Sequence, residues 1–320
     1  MKTALEDEAF HEGESAVQER TGVRERLAAL GPRAIRDFMP DQHREFFAQL
    51  PFLIAGTADA GGQPWASVLA NPPGFIFALD PHRLEVRARP LAADPLHETL
   101  VAGASIGLLG IQPHTRRRNR LNGTVESATA AGFSVRVSQS FGNCPKYIQS
   151  REPRFVERTG SSEKSARRAA MLDGAARGLI RRADTFFIAT AYPARGGASG
   201  RALGVDVSHR GGSPGFVRID ANDALTAPDF LGNFFFNTLG NLQLNPRAGL
   251  LFVDFESGDL LYLAADAEII WEGAEVRRFA GAQRLLRFRL REALYVAASL
   301  PLRWGPAQPS PFLSSMGAWS

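Results

Sequence analysis

The chain has 320 residues, 44% of them hydrophobic and 22% charged, with a net charge of +4, which is length enough for two domains that each bury a core. A single cysteine, Cys144, excludes an internal disulfide framework and a multi-cysteine zinc site, and the histidines show no metal-ligand spacing. No apolar run is long enough to span a bilayer, and the acidic, polar start MKTALEDEAFHEGES is unlike a signal peptide, so a cytoplasmic protein with no membrane partner is expected.

In chain order, residues 1–45 read as an N-terminal helical arm whose helix stops at Gly31-Pro32, and 41–50 as a short amphipathic helix. A first β domain follows over 46–150, with strands at 52–57, 65–70, 74–79, 83–88, 105–111, 119–127 and 133–139. A polar connector and a helix at 172–183 fill 151–182. The second β domain, 183–300, has strands at 185–190, 202–209, 215–219, 233–237, 249–254, 260–270 and 286–297, with a helix at 239–245. Residues 301–320, rich in Pro and Ser, read as an extended tail.

The two β domains repeat one pattern. Each opens on an apolar strand (FLIAGTA from Phe52, FIATA from Phe187) and passes a Gly-rich turn and a Pro-Gly-Phe segment. Each then reaches a Gly-Leu-Leu strand, at Gly107 and at Gly249. Many short strands with few helices, in two copies, predict a mainly β (α+β) chain of two tandem barrels with a ligand cleft at their junction.

Nearly all positive charge is arginine, because lysine stands only at positions 2, 146 and 164. A compositional bias of the genome accounts for this as well as a need for forked donors does. Arg116, Arg118 and Arg120 are expected on one face of a strand. Three adjacent guanidiniums call for an anion or carboxylates between them, or else mark a solvated edge strand. The cluster lacks interleaved aromatics, so no nucleic-acid partner is expected.

In the second copy, Ser208, His209 and Arg210 precede Gly211-Gly212, a turn where backbone N–H groups can approach an anion, or a plain polar hairpin. Asn237 and Thr238 stand where a Phe-Phe-Phe run turns into a helix, in reach of a phosphate at its N-terminus. The run itself serves packing or ring stacking. Lys146, beside Cys144, favours a thiolate, whereas a lone cysteine is more often a small buried residue.

The conjunction of ADTFFIATA, Ser-His-Arg-Gly-Gly-x-Pro-Gly-Phe, Phe-Phe-Asn-Thr-Leu-Gly-Asn-Leu and Asn-Pro-Arg-Ala-Gly-Leu-Leu-Phe (Asn245 to Phe252) resembles the FMN-binding split-barrel family related to pyridoxamine 5′-phosphate oxidase. With Asn122-Gly123 and Phe141-Gly142-Asn143-Cys144-Pro145-Lys146-Tyr147-Ile148-Gln149, the chain is similar to a two-barrel subgroup over about residues 10–305. The resemblance implies tandem split barrels (the fold class expected here), FMN as cofactor, and a flavoprotein oxidoreductase. A flavin carrier, sensor or scaffold without turnover is the alternative. It implies cofactor contacts from Ser208, His209, Arg210, Asn237, Thr238, Asn241, Arg118 and Arg120, and substrate-side contacts from Lys146, Tyr147 and Gln149, with no catalytic side chain named. The oxidase carries a Ser-Arg-Lys run where this chain has Phe236-Asn237-Thr238, so phosphate compensation falls to arginines elsewhere. The implied partners are a small-molecule substrate, a separate reductase or nicotinamide donor, and a second copy in a homodimer.

Overall fold

The computed structural model describes residues 9–91, 93–156, 166–192, 202 and 204–319. Three helices form the arm: α1 (Glu12–Arg20), α2 (Arg24–Ala34) and α3 (Asp41–Ala48). Gly22, at φ 71°, separates the first two. Pro32 lies inside α2 rather than stopping it at Gly31. So near the C-terminus a proline removes one hydrogen bond, and the helix ends two residues later.

The first copy runs β1 (Phe52–Ala58), β2 (Pro64–Ala70), β3 (Ile76–Asp80), β4 (Arg83–Val86), α4 (Leu96–Thr99), β5 (Ser105–Gln112), β6 (Arg117–Thr129) and β7 (Gly132–Gly142). Then come β8 (Pro153–Phe155), β9 (Ala166–Ala169) and α5 (Gly174–Arg182). The second copy has β10 (Thr185–Tyr192), β11 (Gly204–Gly211), β12 (Arg218–Ile219), β13 (Leu225–Asp229), α6 (Asn237–Leu244), β14 (Arg247–Val253), β15 (Leu260–Ile270), α7 (Ala274–Arg277) and β16 (Arg284–Val296). Near the end of the chain stands β17 (Leu302–Trp304).

The sheets repeat one topology. The first is ordered β2-β1-β5-β6-β7-β4-β3 and the second β11-β10-β14-β15-β16-β13-β12, antiparallel throughout. Among the described residues no pairing joins the end strands of either sheet, so neither is shown closed into a barrel. No described helix is long and apolar enough to cross a membrane.

Three further expectations are corrected. The strand at 233–237 is absent, because Phe234 (φ 65°) and Phe236 (φ 64°) adopt left-handed backbone that no strand accommodates. Strand β13 was missed because Pro228 interrupts its apolar run; β12 pairs only as far as Thr226, which leaves Pro228 without a ladder on that side. Within the expected connector, β8 pairs with β17 and β9 with β16, while 157–165 lie outside the described residues, as does the Gly-rich turn at 193–201. The tail is tied down: the Trp319 indole donates to the Phe216 carbonyl at 3.0 Å and packs edge-on against Phe279.

Each copy has its own buried core, and a third core lies between the sheets, mixing Ile54, Val68 and Leu109 with Phe187, Val207, Leu251 and Tyr262. Two equivalent glycines explain how closely the sheets meet. A Cβ on Gly107 would stand 2.7 Å from the Val205 carbonyl oxygen, and one on Gly249 would stand 2.2 Å from that of Pro64. The Gly-Leu-Leu repeat thus marks where each copy's strand crosses the other's backbone, β5 over β11 and β14 over β2.

Candidate functional site

At one end of this junction a cleft of about 100 Å³ opens between the copies. β6 contributes Arg118 and Arg120, the segment after β7 contributes Asn143, Cys144, Lys146 and Tyr147, β11 contributes Ser208, His209 and Arg210, and the start of α6 contributes Asn237 and Thr238. Alternation along β6 puts Arg118 and Arg120 on one face, as expected. Arg116 does not join them. At φ 55° it precedes the strand, and its guanidinium donates to the carbonyls of Ile148, Gln308 and Pro309.

Arg120 is the hub of a buried network. Its Nη1 donates to both oxygens of Asp206 (2.9 and 3.0 Å) and to Asn237 Oδ1 (2.9 Å), and its Nη2 donates to Ser208. The Ser208 and Thr238 hydroxyls stand 2.9 Å apart. Arg210 pairs with Asp229, which Arg284 also approaches at 3.6 Å. Carboxylates therefore separate part of the arginine cluster.

Arg118 is different. Its Nε donates to the Cys144 carbonyl (2.7 Å), and its Nη1 donates to His209 Nδ1 (3.2 Å) and the His209 carbonyl (3.3 Å). Among the described residues it has no carboxylate partner. Burial first, then the charge of Arg120, pushes Arg118 below the ordinary arginine range, to about 9, so it is still a cation at neutral pH. Burial and the charges of Arg118 and Arg210 hold His209 well below the usual histidine range, neutral and accepting at Nδ1.

The mouth is aromatic. Tyr147, at φ 65°, packs against Phe230 with centroids 5.0 Å apart and donates its hydroxyl to the Leu231 carbonyl (3.1 Å), joining a lip from each copy. Lys146 lies 5.3 Å from the Phe312 ring. Tyr147, Phe234 and Phe236 are all left-handed non-glycines on this one cleft, a concentration of backbone strain of the kind found at binding sites.

Two expected residues lie elsewhere. Asn241 bonds His11 (2.9 Å) and Thr190 (3.0 Å) beside a separate small void. Gln149 donates to the Gly212 carbonyl (2.9 Å) and accepts from the Ser310 N–H (2.7 Å). The sequence reading missed Asp206 and Glu14. Asp206 was legible as the residue two before Ser208, on the same strand face. Glu14 was signalled only by its place three residues after His11 in a capping box.

A family model described as pyridoxamine 5′-phosphate oxidase matches residues 39–161. No curated protein matches the chain. Among solved structures, HupZ from Group A Streptococcus is similar at 14% identity and TM-score 0.31, covering 39% of this chain and 99% of its own. HutZ, the heme storage protein from Vibrio cholerae, has 15% identity, TM-score 0.27, and coverage of 40% and 95%. A FAD-binding protein from Mesorhizobium loti has 12% identity, TM-score 0.26, and coverage of 41% and 98%. These likenesses are distant. Residues 39–161 thus hold a domain distantly related to the pyridoxamine 5′-phosphate oxidase family, in a chain that repeats its strand order a second time.

Proposed function

We propose that the cleft holds the phosphate of FMN and that the chain is a flavoprotein oxidoreductase acting on a small organic substrate. The observation that carries this reading is Arg118, a half-buried guanidinium facing the cleft with no carboxylate partner among the described residues, beside Arg120 and Arg210. A partly desolvated cation without a counter-charge favours an anion beside it, and a phosphate supplies one. The donor set fits such a group: guanidiniums from β6 and β11, the Ser208 and Thr238 hydroxyls, and the N-terminus of α6. About 100 Å³ is below the roughly 300–1,000 Å³ of typical small-molecule pockets, so the fit is to the phosphate end, and Tyr147, Phe230, Phe234 and Phe236 offer flat apolar surface at the mouth.

Bound FMN would supply hydride or electron transfer. Arg118, Arg120 and Arg210 would bind and orient the anion, and the paired lips would exclude water. A reduced nicotinamide or a separate reductase would be the donor. A carrier without turnover is the second reading, favoured by His209 being held neutral, so that it does not serve as an imidazolium acid at neutral pH.

Titration with FMN and riboflavin tests the proposal. FMN should bind more tightly by about 10- to 100-fold, the equivalent of roughly 1.5–3 kcal/mol for charged hydrogen bonds. Equal affinities, or none, would remove the phosphate assignment. Bleaching of bound flavin by reduced nicotinamide, followed by substrate-dependent recovery, separates the oxidoreductase from the carrier.

A further inference from the structure

The N-terminal arm packs behind the cleft, against α6. Helices α1 and α6 meet where Gly13 faces Gly240: a Cβ on the first would stand 2.3 Å from the Gly240 carbonyl oxygen, and one on the second 2.5 Å from the Glu14 nitrogen. This approach buries Glu14 beneath Asn237. Glu14 Oε1 accepts from Asn237 Nδ2, and Oε2 accepts from the His11 N–H at 2.9 Å. The Asn237 amide, held by Glu14 on one side, presents its oxygen to Arg120 on the other. One side-chain amide therefore connects a buried carboxyl of the arm to the hub of the cleft.

Resting on the anion-site reading, we infer that Glu14 is a positioning residue, its protonation coupled through Asn237 to the Arg120 guanidinium and so to the cleft's hold on an anion. Two acids, Glu14 and Asp206, share Arg120. The charged and polar groups facing Glu14 are His11 and Glu12 of its own helix and cap, Arg120 and Asn122 of β6, Gln139 of β7, Asp206 of β11, and Asn237 and Asn241 of α6. Burial is the main cause, with Asp206 adding to it, of a carboxyl pushed up to about 8, while burial keeps His11 neutral at about 4. At neutral pH Glu14 is protonated, and Asp206 alone offsets Arg120. As pH rises through about 8 a second negative charge enters the network, Asn237 is drawn toward it, and anion affinity falls.

The test needs no ligand. In the full chain, side-chain ¹⁵N resonances of Arg120, assigned by comparison with Arg120→Lys, should shift between pH 7 and 9 in step with the ¹³C carboxyl signal of Glu14. The shift should vanish in Glu14→Gln. Arg120 signals that stay flat in the wild type, or titrate alike in Glu14→Gln, overturn the coupling, and the wild-type titration alone decides if the variant fails to fold. In a second arm, FMN affinity should fall about tenfold from pH 7 to 9, the effect of one unit of coupling, and stay level in Glu14→Gln. Coupled NMR titrations without FMN binding at either pH would uphold the Glu14–Arg120 link and sink the reading of the cleft.

Discussion

In the repeated strand order of the two sheets, Arg120 and Tyr262 occupy equivalent positions. Arg120 pairs with Leu109 and Tyr262 with Leu251, two residues beyond Gly107 and Gly249. Arg120 reaches across the junction to Asp206, Ser208 and Asn237; Tyr262 reaches across to Asp94, its hydroxyl donating at 2.8 Å. Ser67, which also donates to Asp94, is the counterpart of Ser208. Around this shared frame the chemistry is reversed: Arg118 becomes Leu260, and His209 becomes Val68. The second seam is packed with side chains that stabilise by about 1.5–3 kcal/mol each when buried. The first seam instead buries cations at a cost of several kcal/mol per ion before pairing. One seam of the repeated fold is thus polar and open where the other is packed core, which, on the proposed function, predicts one anion site per chain.

The steepest test of the shared frame is Gly249→Ala. Its methyl would meet the Pro64 carbonyl oxygen at 2.2 Å, and backbone cannot yield as a flexible side chain does. A loss of about 3 kcal/mol or more is expected in urea unfolding, with Gly107→Ala, at 2.7 Å, somewhat milder. Tolerance of both would mean that the sheets do not cross here.

That frame was the most legible part of the sequence, because strand periodicity and the Gly-Leu-Leu repeat are local signals that survive in both copies. The cleft was legible in part. Arg118, Arg120, Ser208, Asn237 and Thr238 could be read from strand alternation and a helix start. Their partners could not. Asp229 lies in the strand hidden by Pro228, and Glu14 reaches Asn237 from over two hundred residues away through a Gly–Gly helix contact. The Phe-Phe-Phe run misled because aromatic residues favour strands, whereas here the chain turns twice through left-handed backbone. Asn241 was carried over with its helix, yet it faces His11.

The next largest effect is expected in the closed seam. Asp94 is buried and hydrogen-bonded to Ser67, Tyr262 and the Leu96 N–H, and burial raises it from 3.8 to about 6. A carboxyl raised on folding contributes stability that is fully present below about 3.8 and lost as pH rises through about 6. Asp94→Asn should flatten that dependence, which amounts to about 3 kcal/mol, with no change in FMN affinity. A profile unchanged by Asp94→Asn between pH 4 and 7 would show that the closed seam holds no titrating charge.

In the open seam, Arg118→Met keeps the apolar stem of the side chain and deletes the charge. FMN affinity should fall about 10- to 100-fold, equivalent to roughly 1.5–3 kcal/mol, while riboflavin affinity stays level. Folding stability should change little, because the deleted charge is half-buried and has no carboxylate partner among the described residues. A stability loss without a binding loss would make Arg118 structural, by way of its bonds to the Cys144 and His209 carbonyls.

The smallest effect is also the most specific. Tyr262→Phe preserves the ring and deletes only the hydroxyl that donates to Asp94 Oδ2. Asp94 retains Ser67 and the Leu96 N–H on its other oxygen, so the cost should be about 1–2 kcal/mol. The sign with pH follows from the bond. Tyr262 favours the ionised carboxylate and holds Asp94 lower than burial alone would; without it the Asp94 midpoint should rise, and the penalty should be greater at pH 8 than at pH 4. FMN binding should not change, because the hydroxyl stands in the seam that the duplication closed. A variant whose FMN affinity changes would show instead that the two seams are coupled through the core between the sheets.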